Sequence, residues 1–155
     1  MESIPEGYSP ILVVDDDTAL LVSMEAVILS CGLPKPVLLS NSLRVKDVIE
    51  RHRFHVALLD VIMPYFNGLE VLRQIQNIQP QIQCVMITAS DDPAKEAEAR
   101  RAGAFDYLVK PVNMDTLKKV IVAAFEKSME ENMRRIIVNK RDNGKISKRK
   151  GTIIE

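Results

Sequence analysis

Five residues combine side chains that could do chemistry together: Asp15, Asp16 and Asp60 carry carboxylates, Thr88 a hydroxyl and Lys110 an ammonium. Three carboxylates brought into one cleft cannot all stay ionised without a cation. Their oxygens are hard ligands, and no cluster of His or Cys competes with them. Such a set suits Mg²⁺ (or Mn²⁺), usually held by one or two carboxylates, waters and substrate phosphate oxygens. A metal held there would offset charge as an anionic phosphoryl group approaches a carboxylate nucleophile. Lys110 would add a second positive charge, and Thr88 a hydrogen bond to a phosphoryl oxygen. Each residue alone has an ordinary explanation: the run Asp15-Asp16-Asp17 could cap a helix, Asp60 could open a turn, and Lys110 could be solvated.

The elements that must position these groups decide between the readings. Ile11–Val14 is an unbroken apolar run that stops at the three aspartates, as expected of a strand buried on both faces. His55–Leu59 is a similar run ending at Asp60, Ile82–Ile87 ends at Thr88, and Phe105–Val109 ends at Lys110. Val37-Leu38-Leu39 is a further strand. Helical spacing fills the intervals: Leu20 to Cys31 after the Asp17-Thr18 cap, a short helix around Leu43 to Ile49, Leu69 to Ile75, Pro93 to Ala102 closed by Gly103, and a last helix from Asn113. Strand and helix alternating five times predicts an α/β fold: a five-stranded parallel sheet with helices on both faces. In such a sheet ligands bind outside the carboxyl ends of the strands, where all five residues then meet.

Four blocks carry a resemblance: Ile11-Leu12-Val13-Val14-Asp15-Asp16-Asp17; Leu58-Leu59-Asp60-Val61-Ile62-Met63-Pro64 with Gly68; Val85-Met86-Ile87-Thr88-Ala89; and Ala102-Gly103-Ala104 through Tyr107-Leu108-Val109-Lys110-Pro111. In order and spacing they resemble response-regulator receiver domains over about residues 9–126. The resemblance implies a (βα)5 flavodoxin-like fold with an extended C-terminal helix, and a phosphoacceptor at Asp60. It implies metal binding by Asp15, Asp16, Asp60 and the backbone carbonyl of Ile62, a switch pair of Thr88 and Tyr107, a catalytic role for Lys110, and a cis Lys110–Pro111 bond. Phosphorylation would draw Thr88 toward the phosphoryl group and let the Tyr107 ring turn into the space it leaves. Ile62 and Ser90 fall where family members vary and tune the lifetime of the acyl phosphate. The implied donor is a phosphohistidine on a sensor histidine kinase or a histidine phosphotransfer protein, since His52 and His55 are not in helical settings suited to that role. The protein would be no turnover enzyme beyond promoting its own phosphorylation and dephosphorylation.

Two rival readings are an unphosphorylated pseudo-receiver and an aspartyl-phosphate-type phosphatase. The first is at odds with the intact set of five, the second with Ile62 where a second Asp would be needed as general acid. A nucleotide-binding domain would want a glycine-rich loop after the first strand, which is missing.

Residues 1–126 hold 12 Lys and Arg against 17 Asp and Glu, whereas residues 127–155 hold 9 against 4. This charge asymmetry divides the chain into an N-terminal lead (1–9), an acidic receiver unit (10–126) and a basic extension of the last helix (127–155). Apolar positions continue through Met129, Met133, Ile136 and Ile137, so the helix is expected to reach Asn139 and to offer a stripe for a homodimer. Beyond it, the basic run reads as a solvated tail; Asn143-Gly144 could instead turn a hairpin between Ile136–Val138 and Thr152–Ile154. No aromatic interleaving or helix-turn-helix spacing supports nucleic-acid binding. No run approaches the roughly 20 apolar residues of a membrane span, and Met1–Pro10 lacks the apolar core of a signal peptide. Cys31 and Cys84 read as buried thiols in a cytoplasmic setting.

Overall fold

The computed structural model describes residues 9–153, with side chains over residues 9–144. In chain order the elements are β1 (Ile11–Val14), α1 (Thr18–Ser30), β2 (Val37–Leu39), a 3-10 turn (Ser42–Arg44), α2 (Val45–Arg51), β3 (Val56–Leu59), α3 (Gly68–Ile78), β4 (Gln83–Thr88), α4 (Pro93–Arg101), β5 (Asp106–Val109) and α5 (Met114–Ile153). The strands form one parallel sheet in the order β2-β1-β3-β4-β5. The chain reverses its winding direction between β1 and β3, and that switch point opens a crevice at their carboxyl ends.

β1 and β3 have neighbours on both sides and helices on both faces, so every residue in them is buried and no polar alternation survives. Period-two geometry still sorts their side chains. Ile11, Val13, Val56, Leu58, Val85 and Ile87 pack toward α1 and α5. Leu12, Val14, Ala57, Leu59, Cys84 and Met86 pack toward α2, α3 and α4. Each fully buried Leu or Ile contributes about 1.5–3 kcal/mol from removal of apolar surface from water.

Helix starts follow local chemistry. Asp17 caps α1, its carboxylate accepting from the N–H groups of Ala19 and Leu20. The capping role of the acidic run thus falls to Asp17, which leaves Asp15 and Asp16 for the crevice. Asp92 caps α4, whose first residue is Pro93. At the other end of α4, Gly103 has φ +100°, the left-handed turn that ends a helix at low cost in glycine.

Two expectations need correction. The last helix does not stop at Asn139 but continues to Ile153, and it includes Ile136–Val138 and Asn143-Gly144, so neither a hairpin nor an unstructured basic run is present over 140–153. The physical reason lies in the run itself: Lys and Arg are good helix formers, and cations near a helix C-terminus oppose its negative dipole end. Ile154 lies outside the described residues. Cys84 is buried as expected, whereas Cys31 is partly exposed, because it caps the C-terminus of α1 where the chain turns outward at Gly32. Among the described residues no helix is long and apolar enough to cross a membrane.

Candidate functional site

Asp15 follows β1 directly, Asp60 follows β3, Thr88 ends β4 and Lys110 follows β5. The parallel register aligns these ends, pairing Val14 with Leu59, Leu59 with Met86 and Thr88 with Val109. One carboxylate oxygen each from Asp15, Asp16 and Asp60 lies within 4.8 Å of the others. Asp15 and Asp60 are buried and Asp16 is exposed, so the cluster has two anchored members and one at its mouth.

Lys110 bridges the buried pair. Its Nζ donates to Asp15 Oδ2 at 3.2 Å and to Asp60 Oδ2 at 3.1 Å. The other oxygens are held by main chain: the Asp17 N–H donates to Asp15 Oδ1 at 2.9 Å, and the Ile62 N–H to Asp60 Oδ1 at 3.0 Å. Burial raises the Asp15 pKa; the Asp17 N–H opposes that, the charge of Asp60 reinforces it, and Lys110 opposes it. Burial pulls Lys110 down, but its hydrogen bonds to and attraction by Asp60 and Asp15 outweigh this and hold the ammonium above its ordinary value. The site is thus a carboxylate cluster with one ammonium for three acids. Its hard-oxygen donors, already drawing a cationic nitrogen between two of them, fit a small divalent ion.

The loop after Asp60 is fixed from several directions. The Gly68 N–H donates to the Val61 carbonyl at 2.9 Å, and a Cβ on Gly68 would collide with the Asp60 carbonyl oxygen and the Val61 Cα. Glycine there lets the N-terminus of α3 press against the backbone of Asp60. Asn67 and Glu70 form a capping box that holds this helix end. The Ser42 hydroxyl donates to the Pro64 carbonyl and accepts from the Phe66 N–H, which ties the same loop to the 3-10 turn. Between these anchors Tyr65 sits at φ +70°, a left-handed conformation rare for a bulky residue. Ile62, the expected source of a further metal-ligating carbonyl, has an exposed side chain.

Thr88 is fully buried, and its hydroxyl accepts from the Ser90 N–H at 3.2 Å. The Tyr107 ring is already inside, only 6% exposed, with its hydroxyl donating to the Ser90 carbonyl at 3.1 Å. Ser90 therefore connects Thr88 to Tyr107 through its own backbone. Burial, then the nearby Glu96, raises the Tyr107 pKa, which keeps the phenol a donor. Lys110–Pro111 is cis.

All seven residues expected from sequence lie at this end of the sheet. Sequence reasoning missed the anchors Ser42 and the Asn67–Glu70 box. An Asn three residues ahead of a Glu at a helix start is the signal that could have found the box; Ser42 acts through the fold and leaves no local trace.

A five-stranded parallel sheet with a lysine-bridged acidic crevice at its switch point defines the class of phosphoacceptor switch modules. Residues 11–122 match the model of the response regulator receiver domain, and the chain belongs to that family, the receiver component of two-component signalling. It is 31% identical over 157 aligned residues to response regulator protein TodT of Pseudomonas putida, covering 100% of this chain and 69% of TodT. It is 32% identical over 114 residues to transcriptional regulatory protein ZraR of Klebsiella oxytoca; that match covers 74% of this chain, which spans only 26% of ZraR. A CheY-like response regulator receiver domain protein from Methanospirillum hungatei superposes with a TM-score of 0.75 at 28% identity, over 81% of this chain and 99% of that one.

Proposed function

We propose that Asp60 accepts a phosphoryl group from a phosphohistidine of a sensor histidine kinase or histidine phosphotransfer protein, in a reaction dependent on Mg²⁺ or Mn²⁺. The observation that carries this reading is the position of Lys110 Nζ between Asp15 and Asp60, a cation shared by two buried carboxylates. Asp15, Asp16, Asp60 and the main-chain carbonyl of Ile62 would hold the ion. When bound, it supplies charge neutralisation between the acceptor carboxylate and the incoming phosphoryl oxygens. An oxygen of Asp60 attacks phosphorus, the P–N bond breaks, and its electron pair returns to the donor imidazole. Lys110 turns its ammonium from the free carboxylate to the new phosphoryl oxygens, and Thr88 donates its hydroxyl to one of them. Thr88 can then no longer receive the Ser90 N–H in the same geometry, and the link through Ser90 to Tyr107 carries the change to the α4–β5–α5 surface.

Residues 10–126 act in this reading as the receiver unit, 1–9 as a lead and 127–155 as the extension of the last helix and its basic tail, in the cytoplasm. Met129, Met133, Ile136 and Ile137 are exposed along α5, which favours pairing of two chains through this helix as the switched event. The sequence offers no nucleic-acid motif, but the name of ZraR makes an effect on transcription the first output to test.

Intact-mass analysis after acetyl phosphate and Mg²⁺ is expected to show one added phosphoryl group in the native chain and none in Asp60→Asn or after chelation. Labelling that persists in Asp60→Asn would overturn the assignment. Light scattering with beryllofluoride and Mg²⁺ is expected to show a dimer of the native chain and a monomer of Asp60→Asn.

A further inference from the structure

The opposite end of the sheet carries a cavity of about 730 Å³. One wall is α5 past the body, with Asn132, Arg135, Ile136 and Asn139; the other is the His52–His55 connection into β3, with Val37 behind it. Four of the wall residues therefore lie beyond residue 126, and the cavity exists because α5 continues.

Its charge is one-sided. Arg53 and Arg135 line it, and among the described residues no carboxylate does. Among the described residues neither Arg53 nor Arg135 forms an ion pair; Arg135 donates only to the Gln81 side-chain oxygen, at 3.2 Å. Every other surface arginine shown in an ion pair, such as Arg51, Arg73 and Arg100, has its acid within 3.2 Å. A second hollow of about 520 Å³ adjoins it and shares His52, Arg53, Gln81 and Arg135; there Glu50 adds a carboxylate and Arg51 is paired with Asp47. The floor is apolar: Phe54 and Val37 are buried, and Ile136 faces the space half-exposed.

Unpaired guanidinium groups around a concave surface with one exposed apolar side chain match an organic phosphate. Guanidinium forks fit phosphate oxygens in pairs, and an apolar body would rest on Ile136. The volume falls within the range of small-molecule sites. Asn132 and Asn139 add amide donors and acceptors for the edge of such a body.

We propose that this cavity binds a mononucleotide-sized organic phosphate, its phosphate facing Arg53 and Arg135, and that occupancy fixes the extended part of α5 against the body. It is separate from the acidic crevice and does not depend on phosphorylation of Asp60.

The test is calorimetric titration of the Asp60→Asn chain without Mg²⁺, which silences the acidic crevice toward phosphates. The probes are adenosine monophosphate, adenosine and inorganic phosphate. The monophosphate is expected to bind saturably, and adenosine and phosphate each at least about tenfold more weakly. Arg53→Gln and Arg135→Gln, both at exposed positions and expected to melt like the parent, should each weaken binding at least about tenfold. Hydrogen exchange of α5 amides past Asn132 should slow on binding. Absence of saturation up to about 5 mM monophosphate, binding unchanged in both variants, equal binding of adenosine, or exchange unaffected by the ligand would each overturn the proposal, as would an acidic peptide that binds where the monophosphate does not.

Discussion

At the carboxyl end of β3, Asp60 shares one ammonium with Asp15. At the amino end of the same strand, the His55 ring shares hydrogen bonds with Ser128 at 2.9 Å and Asn132 at 3.3 Å on α5. Nearby, Gln83 donates to Glu131 and Arg135 to Gln81, so the lower seam between sheet and α5 is a set of neutral or single-charge contacts. The upper end concentrates acidic charge, strained backbone and a buried hydroxyl; the lower seam pairs its polar groups along α5 and leaves like charge only at the arginines of the adjoining cavity. Four strand residues separate the two. The contrast teaches where this fold stores unfavourable electrostatics: in the crevice, where a cation or a phosphoryl group can relieve it, and not in the seam that holds the long helix.

The comparison is broken most directly by removing the shared cation. Lys110→Met leaves two buried carboxylates facing each other and should cost about 3 kcal/mol in a chelated sample. Millimolar Mg²⁺ should return a large part of that loss in urea unfolding. A variant as stable as the native chain without metal would mean that the upper end stores no such tension.

Gly68→Ala comes next. The new methyl meets backbone, not a flexible side chain, so a loss of about 2 kcal/mol is expected, together with slower phosphoryl uptake. A fully stable variant would show that α3 can withdraw from Asp60 freely.

The lower end is sharpened by pH. Burial holds the His55 pKa below its ordinary 6.5. In the unfolded chain the ring takes up a proton near that value, while the folded chain resists it, so the unfolded state binds more protons just below it. Stability contributed by neutral His55 is therefore full above about pH 6.5 and is lost as pH falls toward the folded-state pKa. Thermal melts of the native chain should fall more steeply below about pH 6.5 than those of His55→Gln; parallel curves would remove His55 from the seam's energetics.

The smallest effect lies at Tyr65. Asn tolerates the left-handed region that Tyr occupies there, so Tyr65→Asn should gain up to about 1 kcal/mol in the same melts. A loss would show that the Tyr65 side chain contributes more than its backbone costs.

The upper end was legible because its signals are local. Each apolar run ends at the residue that does the chemistry, and strand alternation brings those ends together. Asp17 could be separated from its two neighbours only by seeing which carboxylate caps α1. The lower end was illegible for the opposite reason. His55, Gln81, Ser128 and Arg135 come from three distant stretches and belong to no motif, and only α5 brings them together. The length of α5 is less legible because a basic run suggests solvation, whereas helix propensity and the dipole favour continuation.

That length has a mechanical consequence. α5 has 40 residues, about 60 Å at 1.5 Å per residue. Its last polar contacts to the body among the described residues are near Asn132 and Arg135, so its remainder is a lever of about 30 Å. A tilt of about 10° at that fulcrum sweeps the far end through about 5 Å. A small tilt of the helix at the body would thereby become, at the basic tip, a displacement about as large as a helical turn.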